Sequence, residues 1–159
     1  MTDKGYFSIV EGPVGLAGNA MARPFPPEVA EVENWLYRQG LTLRLFEKWE
    51  MGTFTRDFAN DSIGVRIWCD RGSRWFLNVT DAQSVDDRWG RWFDIAIVRD
   101  FLVGPAEDIL EFGEQVVLLE KLWPDILRIF DSRNSIATHE RLGAMRKDRV
   151  RRWFGPGIA

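Results

Sequence analysis

Residues 63–79, IGVRIWCDRGSRWFLNV, carry two alternating runs, 65–69 and 74–79, on either side of Asp70-Arg71-Gly72-Ser73. A short glycine-containing connection between two β-rich runs is the signal of a hairpin. Because side chains alternate along a strand, Val65, Ile67 and Cys69 share one face, as do Trp75, Leu77 and Val79. A lone hairpin is marginally stable in water, so that face needs a cover. The helical segments on either side are the candidates.

Upstream, Pro27 suits a first helical turn, Glu28 and Glu31 lie near the positive end of the dipole, and Val29, Val32 and Leu36 recur at helical spacing until Gly40. Residues 41–49, LTLRLFEKW, then alternate Leu41, Leu43 and Leu45 against Thr42, Arg44 and Phe46, which predicts a strand. Met51-Gly52 breaks it, and residues 54–58 form a second short strand before the hairpin. Residues 1–26 read as a mobile or extended lead-in, glycine-rich and then marked by Pro24 and Pro26.

Downstream, residues 80–88 read as a polar loop holding Asp81, Asp86 and Asp87. Asp94 is an N-cap for a helix with Ile95, Val98, Phe101 and Leu102 on one side, stopped at Gly104-Pro105. Residues 106–131 show Val116, Leu119, Trp123 and Phe130 at helical spacing, with Pro124 either kinking one helix or starting a second. A last helix over residues 135–154 has Ile136, Leu142, Met145 or Arg146, Val150, Trp153 and Phe154 as its expected inner face. Grouped strands followed by grouped helices define an α+β domain over residues 27–159: an antiparallel meander of three to five strands, with an N-terminal helix and three to four C-terminal helices on one side.

At 159 residues the chain fits one domain that folds without metal or disulfide. The lone Cys69 sits in an apolar run and reads as a buried structural thiol. No apolar run approaches the roughly 20 residues that span a bilayer, and the N-terminus lacks a basic region followed by an apolar core, so the expected location is cytoplasmic. The formal net charge is -3, yet six basic residues against Asp148 give residues 141–154 a charge of +5, which leaves -8 for the rest. An acidic body of this kind favours a basic partner.

Several chemistries lack their residues. No phosphate-cradling glycine motif occurs, since Pro13 and the missing lysine spoil the segment 12–18. One histidine and one cysteine are too few for a structural zinc site, and no cofactor or metal is expected. His139, between Thr138 and Glu140 in a charged helix, reads as an exposed surface histidine. Asp70, Asp81, Asp86, Asp87 and Asp94 lie at strand ends or in loops, where aspartate commonly stabilises turns, although converging carboxylates would serve a hydrolase. The arginines of residues 141–152 spread around their helix, so nucleic acid is not the expected partner.

Tryptophan is the unusual feature, with eight residues. Trp35, Trp123 and Trp153 fall on helical apolar stripes and read as core. Trp68 points away from Ile67 and Cys69, and with Trp89 and Trp92 beside the acidic loop it forms a candidate aromatic patch. Tryptophan buries a large area while keeping one donor, which suits an interface anchor. The expected partner surface is therefore Trp68, Asp81, Asp86, Asp87, Trp89 and Trp92.

The segment Asp70-Arg71-Gly72-Ser73-Arg74-Trp75-Phe76, followed by Trp92-Phe93-Asp94-Ile95 and an arginine-rich terminal helix, resembles the immunity proteins that neutralise polymorphic bacterial toxins, and the uncharacterised single-domain proteins encoded beside them. The resemblance covers roughly residues 27–154 and is one of size, element order and texture. It implies inhibition by binding, with the acidic loop and its tryptophans covering a basic site on a partner protein such as a toxin. The alternatives are a carboxylate- or metal-dependent hydrolase and a self-associating structural protein that forms a homodimer through an exposed strand edge.

Overall fold

The computed structural model describes residues 25–157 except Trp89 and Glu107, so the expectations for residues 1–24 and for Trp89 lie outside the described residues. The deciding stretch folds as read. Strand β3 (Ile63–Asp70) and β4 (Arg74–Asp81) pair antiparallel, with Val65 opposite Val79, Ile67 opposite Leu77 and Cys69 opposite Trp75. Arg71 and Gly72 take φ of 51° and 69°, the pair of positive values that a type I′ turn requires. Ser73 N–H donates to Asp70 O to close the turn.

β1 (Thr42–Lys48) and β2 (Phe54–Ala59) precede the hairpin, and the two-residue β5 (Phe93–Asp94) follows it. All neighbours pair antiparallel in the order β1-β2-β3-β4-β5, a five-stranded meander. A bulge between Leu43 and Leu45 corrects the simple alternation expected for β1. Leu43 pairs with Phe58 on the inner face, whereas Leu45 pairs with Asp57 on the outer one, and Phe46 turns inward against Phe54 at 5.2 Å.

Helix α1 (Pro27–Arg38) starts at its proline and is followed by Gly40 at φ +80°. α2 (Ile95–Leu102) is capped by Asp94, which accepts from Ala96 N–H at 2.7 Å. α3 (Phe112–Ile129) begins later than periodicity predicts. Arg99 holds Asp108 at 2.8 Å in an unwound approach, and a Glu111–Glu114 capping box then fixes the start. α3 continues through Pro124 as one helix, and α4 (Ser135–Phe154) closes the domain.

The inner sheet face and helices α1, α2 and α3 enclose the core, in which Val65, Ile67, Leu77 and Val79 meet Leu36, Val98, Leu119 and Ile126. Trp35 and Trp123 join α1 to α3 edge to face at 4.9 Å. Gln115 finishes the free side of β4: its Oε1 accepts from Leu77 N–H and its Nε2 donates to Trp75 O. One side-chain amide thus replaces the strand that β5 is too short to provide. Cys69 is buried, and burial pushes its thiol above the usual range.

Candidate functional site

The outer face of the sheet concentrates the polar and aromatic groups that the core does not use. Arg66 on β3 sits opposite Asp57 on β2 and donates to both carboxylate oxygens, at 2.7 and 2.8 Å. Both side chains are nearly dry, at 11% and 2% exposure, and burial holds the Asp57 carboxyl above its usual range despite the two bonds from Arg66. A third donor of Arg66 reaches Arg88 O at 2.9 Å, and its guanidinium lies 4.2 Å from the ring centroid of Trp92.

Residues 85–88 and 90–92 therefore form a ledge over one end of this face. Gly64 permits the close approach: a Cβ there would lie 2.7 Å from Val85 Cγ2 and 3.0 Å from Trp92 Cη2. Trp92 is buried rather than presented on the surface, and its indole donates to Asp87 O at 2.9 Å. Asp86 and Asp87 stand exposed on the ledge, with Asp87 3.9 Å from Arg91. Arg88 pairs with Glu47 and lies 4.9 Å from the Trp49 ring, tying the ledge to β1.

The other end of the outer face carries a pair of stacked rings. Trp68 stacks on Phe76 at 4.3 Å with an interplanar angle of 18°, and its indole donates to Asn78 Oδ1. Both rings are half-buried, and Arg74 lies over Phe76 at 5.2 Å. Trp68 thus takes the face opposite Ile67 and Cys69, as the alternation requires.

Asp81 corrects the loop reading. β4 runs on through residue 81, and the Asp81 side chain is buried, accepting from Ser84 N–H at 2.8 Å to start a short 3-10 turn. Its second oxygen lies 2.8 Å from His139 Nε2. Burial alone would raise the Asp81 carboxyl, but the bonds from Ser84 and His139 outweigh it and hold the group below its usual range. His139 is accordingly no exposed surface histidine: its side chain is 12% exposed, held between the Phe93 and Phe130 rings at 5.2 and 5.8 Å.

The same contact explains why the expected inner face of α4 fails at its ends. Thr138 donates to Ile129 O, Leu142 enters the core, and Arg146 donates to Trp92 O and Gly90 O while lying over Phe93. α4 docks largely through polar groups, so Ile136 and Trp153 are left 75% and 58% exposed and Phe154 is exposed with them. Trp153 is therefore not core.

The sequence-read acids do not converge. Asp70 lies at the exposed hairpin turn, Asp81 is paired under α4, Asp86 and Asp87 face outward, and Asp94 caps α2. Among the described residues no three of His, Cys, Asp and Glu come together as metal ligands. No helix among them is long and apolar enough to cross a membrane. Asp57, Gly64, Arg66 and His139 are the site residues that sequence reading missed. Only Gly64, a glycine inside a strand, carried a local signal. Comparison with family models, curated proteins and solved structures finds no match for this chain.

Proposed function

We propose that this chain is a non-catalytic protein-binding module that meets a basic protein on the outer face of its sheet, covering a functional site on that partner as an immunity-type inhibitor does. The observation that carries the reading is the Trp68–Phe76 stack, a partly buried aromatic platform on the sheet face opposite the core. A solvated sheet face ordinarily carries polar side chains, and the area that these two rings still offer to solvent is apolar surface that a partner can cover. Asp86 and Asp87 stand exposed in the segment that contacts Arg66 on that face, and the chain outside residues 141–154 has a formal charge of -8. That charge steers a basic partner, while the aromatics anchor it.

The other two readings have less support. The carboxylates of the described residues are dispersed, and the free edge strand β1 carries a bulge with Arg44 and Lys48, features that oppose edge-to-edge pairing. The test is capture of partners on tagged protein at low and high salt, followed by affinity measurement with Trp68→Ala and with Asp86→Asn/Asp87→Asn. A stoichiometric basic protein should bind, with Trp68→Ala weakening it about 30-fold and the double variant slowing association chiefly at low salt. Unchanged affinity in both variants would refute the surface.

A further inference from the structure

A cavity of about 250 Å³ opens where β5 ends and the first half of β4, paired with β3 on one side, has no strand on the other. Its walls are largely apolar, with Phe76 and Ile97 from the body facing Val150 and Trp153 from α4. That volume exceeds the roughly 150 Å³ that admits benzene and falls just below the roughly 300 Å³ at which drug-sized pockets begin. One or two fused rings fit it.

Arg74, Arg146 and Arg149 line the cavity together with Asp94 and Asp108. Asp108 is held 2.8 Å from Arg99, and Arg149 lies 4.0 Å from Asp100, so these charges are offset by neighbours at the edge of the space. Asp94 directs an oxygen at Ala96 N–H, and burial, opposed by Arg149, Arg74 and Arg99, holds its carboxyl above the usual range. Arg146 bonds two carbonyl oxygens, and Arg74 lies over an aromatic ring. Neither has an acid within ion-pair distance among the described residues. Two guanidinium groups without a direct ion pair thus border an apolar slot, with the Asp94 carboxyl acting on Arg74 only at a distance.

We infer that this cleft binds a small aromatic carboxylate, with the ring between Phe76, Val150 and Trp153 and the carboxylate on Arg74 and Arg146. Guanidinium offers the planar fork that a carboxylate matches, and aromatic walls hold a ring without a polar cost. The cleft shares Phe76 with the aromatic platform of the protein-partner reading, but small-acid binding is measured without a partner and is judged separately.

The experiment is an NMR titration of the full chain with indole-3-acetate, indole-3-acetamide and tryptamine, which share a ring and differ in charge. Indole-3-acetate should saturate, with shifts centred on Ile97, Leu110 and Val150, and bind about tenfold tighter than the amide, with tryptamine weakest. Arg74 and Trp153 are exposed, so their variants keep the fold. Arg74→Gln should weaken the acid about tenfold and leave the amide within about twofold, whereas Trp153→Ala should weaken both alike. Equal affinity for acid and amide, or the absence of any saturable response, overturns the assignment.

Discussion

Replacing Arg66 by methionine tests whether the outer face is organised by its buried ion pair. The substitution keeps much of the apolar volume but leaves Asp57, 2% exposed, without its cation. Removing one partner of a buried pair costs about 3–5 kcal/mol, a large part of the roughly 5–15 kcal/mol that holds a domain folded. The pH sign follows from Asp57, whose carboxyl burial already holds above its usual range and which would rise further without Arg66. Between the ordinary carboxylate value and that raised one the folded state binds the extra proton, so the stability of Arg66→Met should grow as pH falls through this window. Asp57→Leu strands a guanidinium that cannot deprotonate, and its penalty should be of similar size with no such pH dependence. The double variant Asp57→Leu/Arg66→Met loses only the bond to Arg88 O and the contact with Trp92, together about 1–2 kcal/mol. Denaturant midpoints at several pH values for the four proteins give a coupling of more than about 3 kcal/mol. Additive single-variant losses, or a pH-independent Arg66→Met, would refute the reasoning.

Two further outcomes follow. Gly64→Ala places a Cβ 2.7 Å from Val85 Cγ2, and such overpacking costs about 1–3 kcal/mol, only partly offset by the strand preference of alanine. Hydrogen exchange should show the Trp92 indole N–H losing protection before the core does, and a variant as stable as the parent would count against the ledge. Asp81→Asn removes a carboxylate whose folded pKa is depressed, so the stabilisation it removes is present above the ordinary value of 3.8 and disappears as pH falls through the lower folded value. Its penalty, about 1.5–3 kcal/mol near neutrality, should vanish in acid, and a constant penalty across pH would show that Asp81 acts only by its shape.

The legible parts of this chain were those governed by local patterns. The hairpin register follows from Val65, Ile67 and Cys69 facing Val79, Leu77 and Trp75, and the α2 start follows from Asp94 as a cap. The illegible parts depend on partners far away in sequence. His139 is 58 residues from Asp81, and nothing beside it in a charged helix distinguishes a buried histidine from an exposed one. The α4 stripe misled for the same reason: Arg146 and His139 do the docking that an apolar pattern assigns to Ile136 and Trp153. Nothing local marks Arg66 and Asp57 as a buried pair, because the segment that covers Arg66, with Arg88 and Trp92, enters from more than 20 residues away.

The two faces of the sheet are assembled by different physics, and that difference bears on recognition. The inner face is held by apolar burial, which is strong but tolerant of small changes in direction. The outer face is held by directional bonds, from Arg66 to Asp57 and Arg88, from Trp92 to Asp87, and from Trp68 to Asn78. Groups fixed in this way lose little further freedom when something docks on them, so less of the binding energy is consumed in ordering the surface. The stack of Trp68 on Phe76 is set before any partner arrives, and the buried pair beneath the ledge keeps Asp86 and Asp87 at a fixed place relative to it. The Arg66 variants accordingly probe more than stability: in a protein still folded at low temperature, loosening the ledge should weaken a partner that spans both ends of the face more than one that touches Trp68 alone.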